Sequence, residues 1–299
     1  MKIQYSVYSL VKKNKVNAKD SSSTREGVLL KVIDQEFWGV ADLATWPELG
    51  DLTWQEELKT KGALFQRALN LAKEDLAARK ENRSLLKDQT VTNNILITDY
   101  KNTDTKNPQF IGQTLKIKGD ADIQSLARFI HALPVTAKLR IDFNNSLDSE
   151  SFESFLGKIF LAVDRIEYIE DPVAYEIELW SGWNQMIPLA WDFQTVSPAP
   201  HSYSYRIVKP TRTEIPVKVD YTLTSDMSHP VGLAHGLRIA QNFALNPSGF
   251  LTLDLFEETA FHKYFVKTEN QLNFSVAALK DTGIGMAEEL NHLDWLDYV

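Results

Sequence analysis

The stretch TLKIKGD, residues 114–120, carries the pattern that decides the fold. Its alternation predicts a β-strand in which Leu115 and Ile117 face one side while Lys116 and Lys118 face the other. The two ammonium groups could simply form the polar face of an edge strand. The strands that follow it in the chain favour a different interpretation, because they end in the same way.

Four later strand-like runs also end on an ionisable residue. They are LRIDF with Asp142, IEYIED with Glu170, PLAWD with Asp192 and YRIVKP with Lys209. From about residue 93 these short apolar runs alternate with helical patterns, which predicts a parallel sheet of βα units. About eight such strands would close into a barrel, whose strand carboxyl ends form one face where reactive groups collect. We therefore expect the five strand ends to lie close together.

The predicted cluster contains three carboxylates, those of Asp142, Glu170 and Asp192. Carboxylates forced together repel each other unless a cation lies between them. The chain has no cysteine, and a ligand set made only of oxygens suits a hard divalent ion. Mg²⁺ is therefore the expected metal, with Mn²⁺ as a substitute. Beside the metal, Lys116 is expected to lower the proton affinity of Lys118, which could then act as a neutral base.

Composition excludes several classes of partner. The 299 residues have a formal net charge of -8 and a pI near 5.3, which argues against nucleic-acid binding and against an anionic membrane surface. The start of the chain does not resemble a signal peptide, and no apolar run is long enough to span a bilayer. We expect a cytoplasmic protein, with no obligate protein partner inferred.

The series K-x-K, RIDFN, EDP, WD and KP resembles that of the enolase superfamily in its muconate-lactonising branch, and within it the o-succinylbenzoate synthase family. The resemblance implies a modified (β/α)7β TIM-type barrel over residues 93–256. It also implies an α+β capping domain formed by residues 1–92, with the tail at about 257–299 packing back onto it. FWGVADLATWPELGD resembles the loop of the capping domain that closes over substrate, and GFLTLDLF resembles the eighth strand of the barrel.

The resemblance also implies a role for each site residue. Asp142, Glu170 and Asp192 would bind Mg²⁺. Lys118 would remove the proton α to the substrate carboxylate and return it to the departing hydroxide. The implied reaction is the dehydration of a succinyl-hydroxycyclohexadiene carboxylate to o-succinylbenzoate, a step of menaquinone biosynthesis.

Four further residues would support that reaction. Lys209 would stabilise the anionic intermediate from the opposite face of the ring. Arg140 and Asn144 would orient the first metal ligand. Ser225 would contact the substrate.

The sequence departs from the family pattern in three places. EDP stands for the more usual E-E-P, and WDFQ lacks the acid that usually follows the third ligand. Too few residues separate Lys209 from Ser225 for a full strand–helix–strand unit, so the intervening helix is expected to be trimmed or absent. An N-acylamino acid racemase or dipeptide epimerase on the same site remains an alternative, and a non-catalytic binding protein is a third.

Overall fold

The computed structural model of the chain describes residues 1–13, 22–192, 199–216 and 219–298. Its strands are β1 (Lys2–Val11), β2 (Thr24–Asp34), β3 (Phe37–Leu43), β4 (Val91–Thr92), β5 (Ile95–Ile97), β6 (Thr114–Lys118), β7 (Lys138–Asp142), β8 (Ile166–Glu170), β9 (Leu189–Trp191), β10 (Tyr205–Val208), β11 (Asp220–Leu223), β12 (Phe265–Thr268), β13 (Gln271–Phe274) and β14 (Leu296–Asp297). Its α-helices are α1 (Trp54–Thr60), α2 (Ala63–Lys80), α3 (Ile123–Ala132), α4 (Ser149–Ile159), α5 (Ile177–Asn184), α6 (Pro230–Phe243), α7 (Val276–Lys280) and α8 (Ala287–Leu290).

The chain divides into two compact units. The first unit comprises Met1–Asn93, Val208–Ile215 and Leu223–Val299, and the second unit comprises Asn94–Ile207 and Pro216–Thr222. The first unit thus takes up part of the segment for which the sequence predicts a barrel. The domain boundaries drawn from the sequence stay a prediction.

The first unit contains an antiparallel sheet covered by a helix. The strand order is β14-β1-β2-β3, and the C-terminal strand pairs with β1 so that Gln4 lies opposite Asp297. Apolar residues of β2, β3 and α2 form one buried core. Gly39 in β3 permits the close approach of α2, because a Cβ atom there would lie 2.1 Å from the carbonyl oxygen of Ala72.

The helical pattern from Thr53 to Arg83, which predicts one or two helices, forms two. Thr53 begins α1 with a capping box, in which its side chain and that of Glu56 each accept a hydrogen bond from the other's backbone N–H. Lys61 then adopts a left-handed conformation with φ of 53° and ends the helix, and Gly62 caps the next one. Apolar periodicity continues across this break, so the pattern alone does not reveal it.

The second unit is built on a sheet whose strands are neighbours in chain order. The order is β11-β10-β9-β8-β7-β6-β5, and each adjacent pair from β5 to β10 is parallel. As LRIDF predicts, Leu139 and Ile141 lie in a core shared with apolar residues of α3 and α4. Tyr168, Ala190 and Ile207 form a separate cluster. The two-residue period of the strands therefore places side chains that face the helices in one cluster and those on the opposite face of the sheet in another.

Near the end of the barrel segment, one predicted element differs in the structure and another agrees with the prediction. GFLTLDLF, expected as a strand, contains the 3-10 helix Leu253–Leu255. Before it, the side chain of Asn93 accepts a hydrogen bond from the Phe250 backbone N–H at 2.7 Å. Residues 209–216, after β10, form turns and contain no helix, as the short spacing predicts. Within the described ranges, no helix combines the length and apolar character needed to cross a membrane.

Candidate active site

The parallel register of the second unit places three ionisable side chains in one row. Lys118 lies beside Asp142 on the next strand, and Asp142 lies beside Glu170 on the strand after that. All three are the last residues of their strands. The row beneath, two residues earlier on each strand, contains Lys116 and its neighbour Arg140.

Lysine ammonium groups join these carboxylates directly. Lys116 Nζ lies 2.8 and 2.7 Å from the two carboxylate oxygens of Glu170 and 2.9 Å from Asp142 Oδ2. Lys118 Nζ donates to the same Asp142 oxygen at 2.6 Å. Asp142 and Glu170 are almost fully buried, whereas the side chain of Lys118 is 32% exposed. We call Lys116, Lys118, Asp142 and Glu170 the strand-end cluster.

Burial and charge act in opposite directions on the pKa values of this cluster. Burial opposes the charged form of Lys116, but the attraction of Asp142 and Glu170 outweighs it and raises the lysine pKa. Burial likewise opposes the charge of Asp142, but the two lysines lower its pKa below the usual value. Burial and the charge of Asp142 raise the pKa of Glu170. Lys116 therefore has the contacts of a counterion to the carboxylates, and its expected effect on Lys118 stays a prediction.

Two residues predicted to orient Asp142 have different contacts. The backbone N–H of Asn144 donates to Asp142 Oδ1 at 3.1 Å, from a left-handed conformation with φ of 50°. The guanidinium of Arg140 is buried and bonds Glu167 at 2.6 Å and Asn94 at 3.2 Å. Asn144 thus positions the carboxylate through its backbone, and Arg140 anchors the row beneath.

Asp171 and Gly119 contribute to the cluster's surroundings without having been singled out in the sequence. Asp171 follows Glu170 with φ of 42°, and its Oδ1 atom accepts a hydrogen bond from the backbone of Asp192 at 3.3 Å. A Cβ atom on Gly119 would lie 2.6 Å from the ring of Phe143. The position of both residues directly after a strand-terminal ionisable residue is the signal that could have identified them.

Asp192 belongs to the electrostatic surroundings of the cluster. It follows β9 directly, and its negative charge contributes to the raised pKa of Glu170. In the part of the chain that the structure describes, no three acidic, histidine or cysteine side chains are arranged to hold one ion together. The donor chemistry still fits a hard divalent cation, because Asp142 and Glu170 are adjacent buried carboxylates that already share one cationic group.

Lys209 and Ser225 lie in the first unit. The Lys209 carbonyl accepts hydrogen bonds from the backbone of the turn that follows it. Ser225 Oγ accepts from the backbone N–H of Met227 at 2.9 Å and from the hydroxyl of Thr252 at 3.0 Å. The residue of WDFQ that stands where the family usually has an acid, Phe193, lies outside the described residues.

Comparison with known proteins places these features in a family. Residues 3–78 match the family described as O-succinylbenzoate synthase, N-terminal domain. The chain is 30% identical over 332 residues to the o-succinylbenzoate synthase of Bdellovibrio bacteriovorus, and the match covers 99% of this chain and 98% of that protein.

Solved structures show the same fold at lower identity. An unknown member of the enolase superfamily from Enterococcus faecalis is 15% identical with a TM-score of 0.77, covering 100% of this chain and 98% of that one. The L-Ala-D/L-Glu epimerase of Bacillus subtilis is 14% identical with a TM-score of 0.70, covering 95% and 98%.

These matches confirm two predictions from the sequence. The fold class is that of the enolase superfamily, with a parallel seven-stranded sheet and an antiparallel capping region. Superfamily members are enzymes and generally bind a divalent metal ion. The identity over nearly the full length is enough to assign this chain, and it belongs to the o-succinylbenzoate synthase family of the enolase superfamily.

Proposed function

We propose that the protein is a Mg²⁺-dependent o-succinylbenzoate synthase acting in menaquinone biosynthesis. Its substrate would be a succinyl-hydroxycyclohexadiene carboxylate, which loses water to give the aromatic product. The observation that carries this proposal is the row of Lys118, Asp142 and Glu170, since it sets an amine beside two buried carboxylates on adjacent strands. That combination serves proton abstraction next to a carboxylate.

Lys118 would perform both proton transfers. As a neutral amine, its Nζ atom takes the proton α to the substrate carboxylate, and the C–H electron pair passes into that carboxylate as an enediolate anion. The pair then forms the new ring double bond as the C–O bond to the hydroxyl group breaks. The resulting ammonium then gives the same proton to the departing hydroxyl group, so that the net loss is one water molecule. The partial exposure of the Lys118 side chain favours this assignment, whereas the carboxylates are buried.

Asp142, Glu170 and Asp192 would hold the metal ion. When bound, Mg²⁺ would supply positive charge that stabilises the anion formed by loss of the proton. The backbone N–H of Asn144 keeps one oxygen of Asp142 in place, and Asp171 holds the backbone at Asp192. These contacts orient the ligands before the ion arrives.

Three further assignments rest on the family resemblance. Lys209 would stabilise the anionic intermediate as a cation, Arg140 would support the metal ligands, and Ser225 would contact the substrate. Each is a proposal for mutagenesis.

The direct test is a spectrophotometric assay of diene consumption with purified protein and Mg²⁺. We expect turnover that EDTA abolishes, and we expect Lys118→Ala to lower kcat by about 10³-fold, within the range of general acid–base catalysis. Lys158→Ala, on an exposed position of α4, is the matched control and should keep wild-type activity.

A folded, Mg²⁺-loaded wild-type protein that leaves the diene unchanged would refute the proposed function. Proton exchange into D₂O at the α carbon of N-succinylamino acids or dipeptides would then indicate a racemase or epimerase, because that chemistry begins with the same proton abstraction.

A further inference from the structure

The turn that follows Lys209 is bonded to other segments of the first unit at three consecutive residues. Lys209 comes directly after β10, and Pro210 is the first residue of the turn. The Pro210 carbonyl accepts two hydrogen bonds from the guanidinium of Arg67 in α2, at 3.0 and 2.7 Å. Both donors of one guanidinium thus bond a single backbone oxygen beside the lysine.

The next two residues of the turn bond acidic side chains. Thr211 is buried, and its hydroxyl donates to Asp226 Oδ2 at 2.8 Å. The guanidinium of Arg212 donates to Asp51 Oδ1 at 2.7 Å, and both of these side chains are only 7% exposed. Hydrogen bonds to a charged partner are among the stronger ones in proteins. We call this set of six residues the turn clamp: Pro210, Thr211, Arg212, Arg67, Asp226 and Asp51.

The two acids of the turn clamp are joined to each other through Trp46. The backbone N–H of Trp46 donates to Asp51 Oδ2 at 2.6 Å, and its indole N–H donates to the Asp226 carbonyl at 2.9 Å. The Asp226 carboxylate also accepts from the hydroxyl of Ser228. The turn is therefore bonded to groups that have fixed positions of their own.

The backbone of the turn already closes it without these side chains. The N–H groups of Arg212 and Thr213 donate to the Lys209 carbonyl at 2.8 and 3.0 Å, and the N–H of Thr224 donates to the Val208 carbonyl at 2.9 Å. The side-chain bonds of the turn clamp are additional to this closure. They fix the place of a turn whose shape the backbone sets.

A fixed turn limits where the side chain of Lys209 can reach. The ring of Pro210 sets its own φ near -65°, so one fewer backbone rotation separates the lysine from the clamped residues. The lysine side chain itself is a flexible stem with a compact ammonium group. Because a misplacement of about 1 Å can lower a rate by about 10²-fold, the position of the backbone at such a lysine matters for catalysis.

We propose that the turn clamp positions Lys209, so that its ammonium group stabilises the anionic intermediate from one defined place. This assignment rests on the proposed function, in which Lys209 carries that role. Thr211 and Arg67 are then positioning residues, because they act through the turn. Their contribution to the reaction should disappear when the lysine is removed.

Kinetics of Thr211 variants with the diene substrate test the proposal. Thr211→Val loses the hydroxyl but keeps the branched shape, and it should lower kcat about 10-fold while KM changes less than about 3-fold. The effect falls on kcat because the anion exists only after the proton has been removed. Thr211→Ser keeps the hydroxyl and should retain at least about half of the wild-type kcat. Thr268→Val, at an exposed position of β12, is the matched control and should keep wild-type activity.

The Lys209→Ala background separates positioning from a general loss of structure. In that background, Thr211→Val should lower kcat by less than about 2-fold, because residues that act as a unit are not additive. An equal loss of about 10-fold in both backgrounds would overturn the proposal. Arg67→Met tests another point of the turn clamp and should show the same dependence on Lys209, whereas Arg83→Met on the surface should change neither kcat nor KM.

Hydrogen exchange measured by mass spectrometry tests the turn clamp without turnover. Peptides that contain the Arg212 and Thr213 amides should exchange at least about 10-fold faster in Thr211→Val than in the wild-type and Thr211→Ser proteins, because loss of the clamp favours local opening. Unchanged exchange in Thr211→Val would overturn the turn clamp whatever the activity.

The two measurements together separate this proposal from the proposed function. A wild-type protein without turnover, but with Thr211-dependent protection of the turn, would refute the function and keep the clamp as a device that fixes Lys209. Wild-type turnover with an unchanged kcat in both Thr211→Val and Arg67→Met would keep the function and overturn the positioning of Lys209.

Discussion

Each unit contains a buried group of ion pairs, and the two groups are built differently. In the first unit, Asp75 is completely buried and accepts backbone hydrogen bonds from Val40 and Ile284, both at 2.8 Å. Its partner Arg79 contacts it at 3.2 Å and donates to the carbonyl of Gly285 at 2.9 Å. Backbone groups thus fix both members of this pair.

The strand-end cluster of the second unit depends mainly on its own titratable groups. Lys116 donates a hydrogen bond to each carboxylate oxygen of Glu170. One oxygen of Asp142 contacts the ammonium groups of both Lys116 and Lys118. Of these carboxylates, Asp142 also accepts a backbone N–H, that of Asn144. The metal ion of the proposed function would therefore replace lysine contacts and leave the backbone hydrogen bonds of the strands intact.

The comparison separates ion pairs that maintain a fold from those that can take part in chemistry. A carboxylate fixed by backbone donors cannot change partner without breaking the local structure, whereas one neutralised by flexible ammonium groups can. We expect the first kind to affect stability under all conditions. Loss of a lysine that neutralises a carboxylate should lower stability only as long as no metal ion takes its place.

The largest expected effect is the loss of Arg79. Arg79→Met would leave Asp75 buried without its charged partner, and we expect the free energy of unfolding to fall by about 3–5 kcal/mol. Urea titration followed by circular dichroism measures this change. Arg83→Met is the matched control, because Arg83 pairs with Glu81 on the surface, where an ion pair contributes about 1 kcal/mol or less. An equal loss in both variants would contradict the distinction between buried and exposed pairs.

A smaller and reversible effect is expected from Lys116. In EDTA, Lys116→Met should lower the free energy of unfolding by about 2 kcal/mol, because Lys118 still compensates part of the buried charge. Saturating Mg²⁺ should restore it, since a ligand at 100 times its Kd adds about 2.7 kcal/mol. The urea titration is repeated with and without the metal.

Arg79→Met is the control for this rescue, and Mg²⁺ should stabilise it no more than it stabilises the wild-type protein. If Mg²⁺ restores both variants alike, the ion acts at a site other than the strand-end cluster. If Mg²⁺ restores the stability of neither variant, the prediction that the ion replaces Lys116 is wrong.

The row of strand ends could be predicted because two regularities fix it. Side chains alternate along a strand, and parallel register brings the last residues of neighbouring strands together, so Lys118, Asp142 and Glu170 follow from the sequence alone. The break at Lys61 and Gly62 could not be predicted, because the apolar periodicity continues through it.

Contacts set by the folded chain were also beyond the sequence. Which carboxylate Lys116 bonds depends on side-chain lengths across three strands, and no local pattern encodes that. The stacking of Arg25, in β2, could not be predicted either. It depends on Trp46, a residue of a later segment whose ring lies against the guanidinium.

The smallest effect is expected at Asp42, a buried carboxylate to which no cationic side chain donates a hydrogen bond among the described residues. Burial and the charge of Asp226 raise the pKa of Asp42 to about 7, above the usual value near 4 for an unfolded chain. Between these values the folded protein binds the proton and the unfolded chain does not, so stability falls as pH rises, by at most about 1.4 kcal/mol per pH unit. Asp42→Asn should remove about 1 kcal/mol of that decline between pH 6 and 7, measured by urea titration, whereas Asp34→Asn on the surface should not. If the dependence of the unfolding free energy on pH is unchanged in Asp42→Asn, Arg25 keeps the Asp42 carboxylate ionised. Asp42 and Arg25 would then form an ion pair that maintains the fold, as Asp75 and Arg79 do.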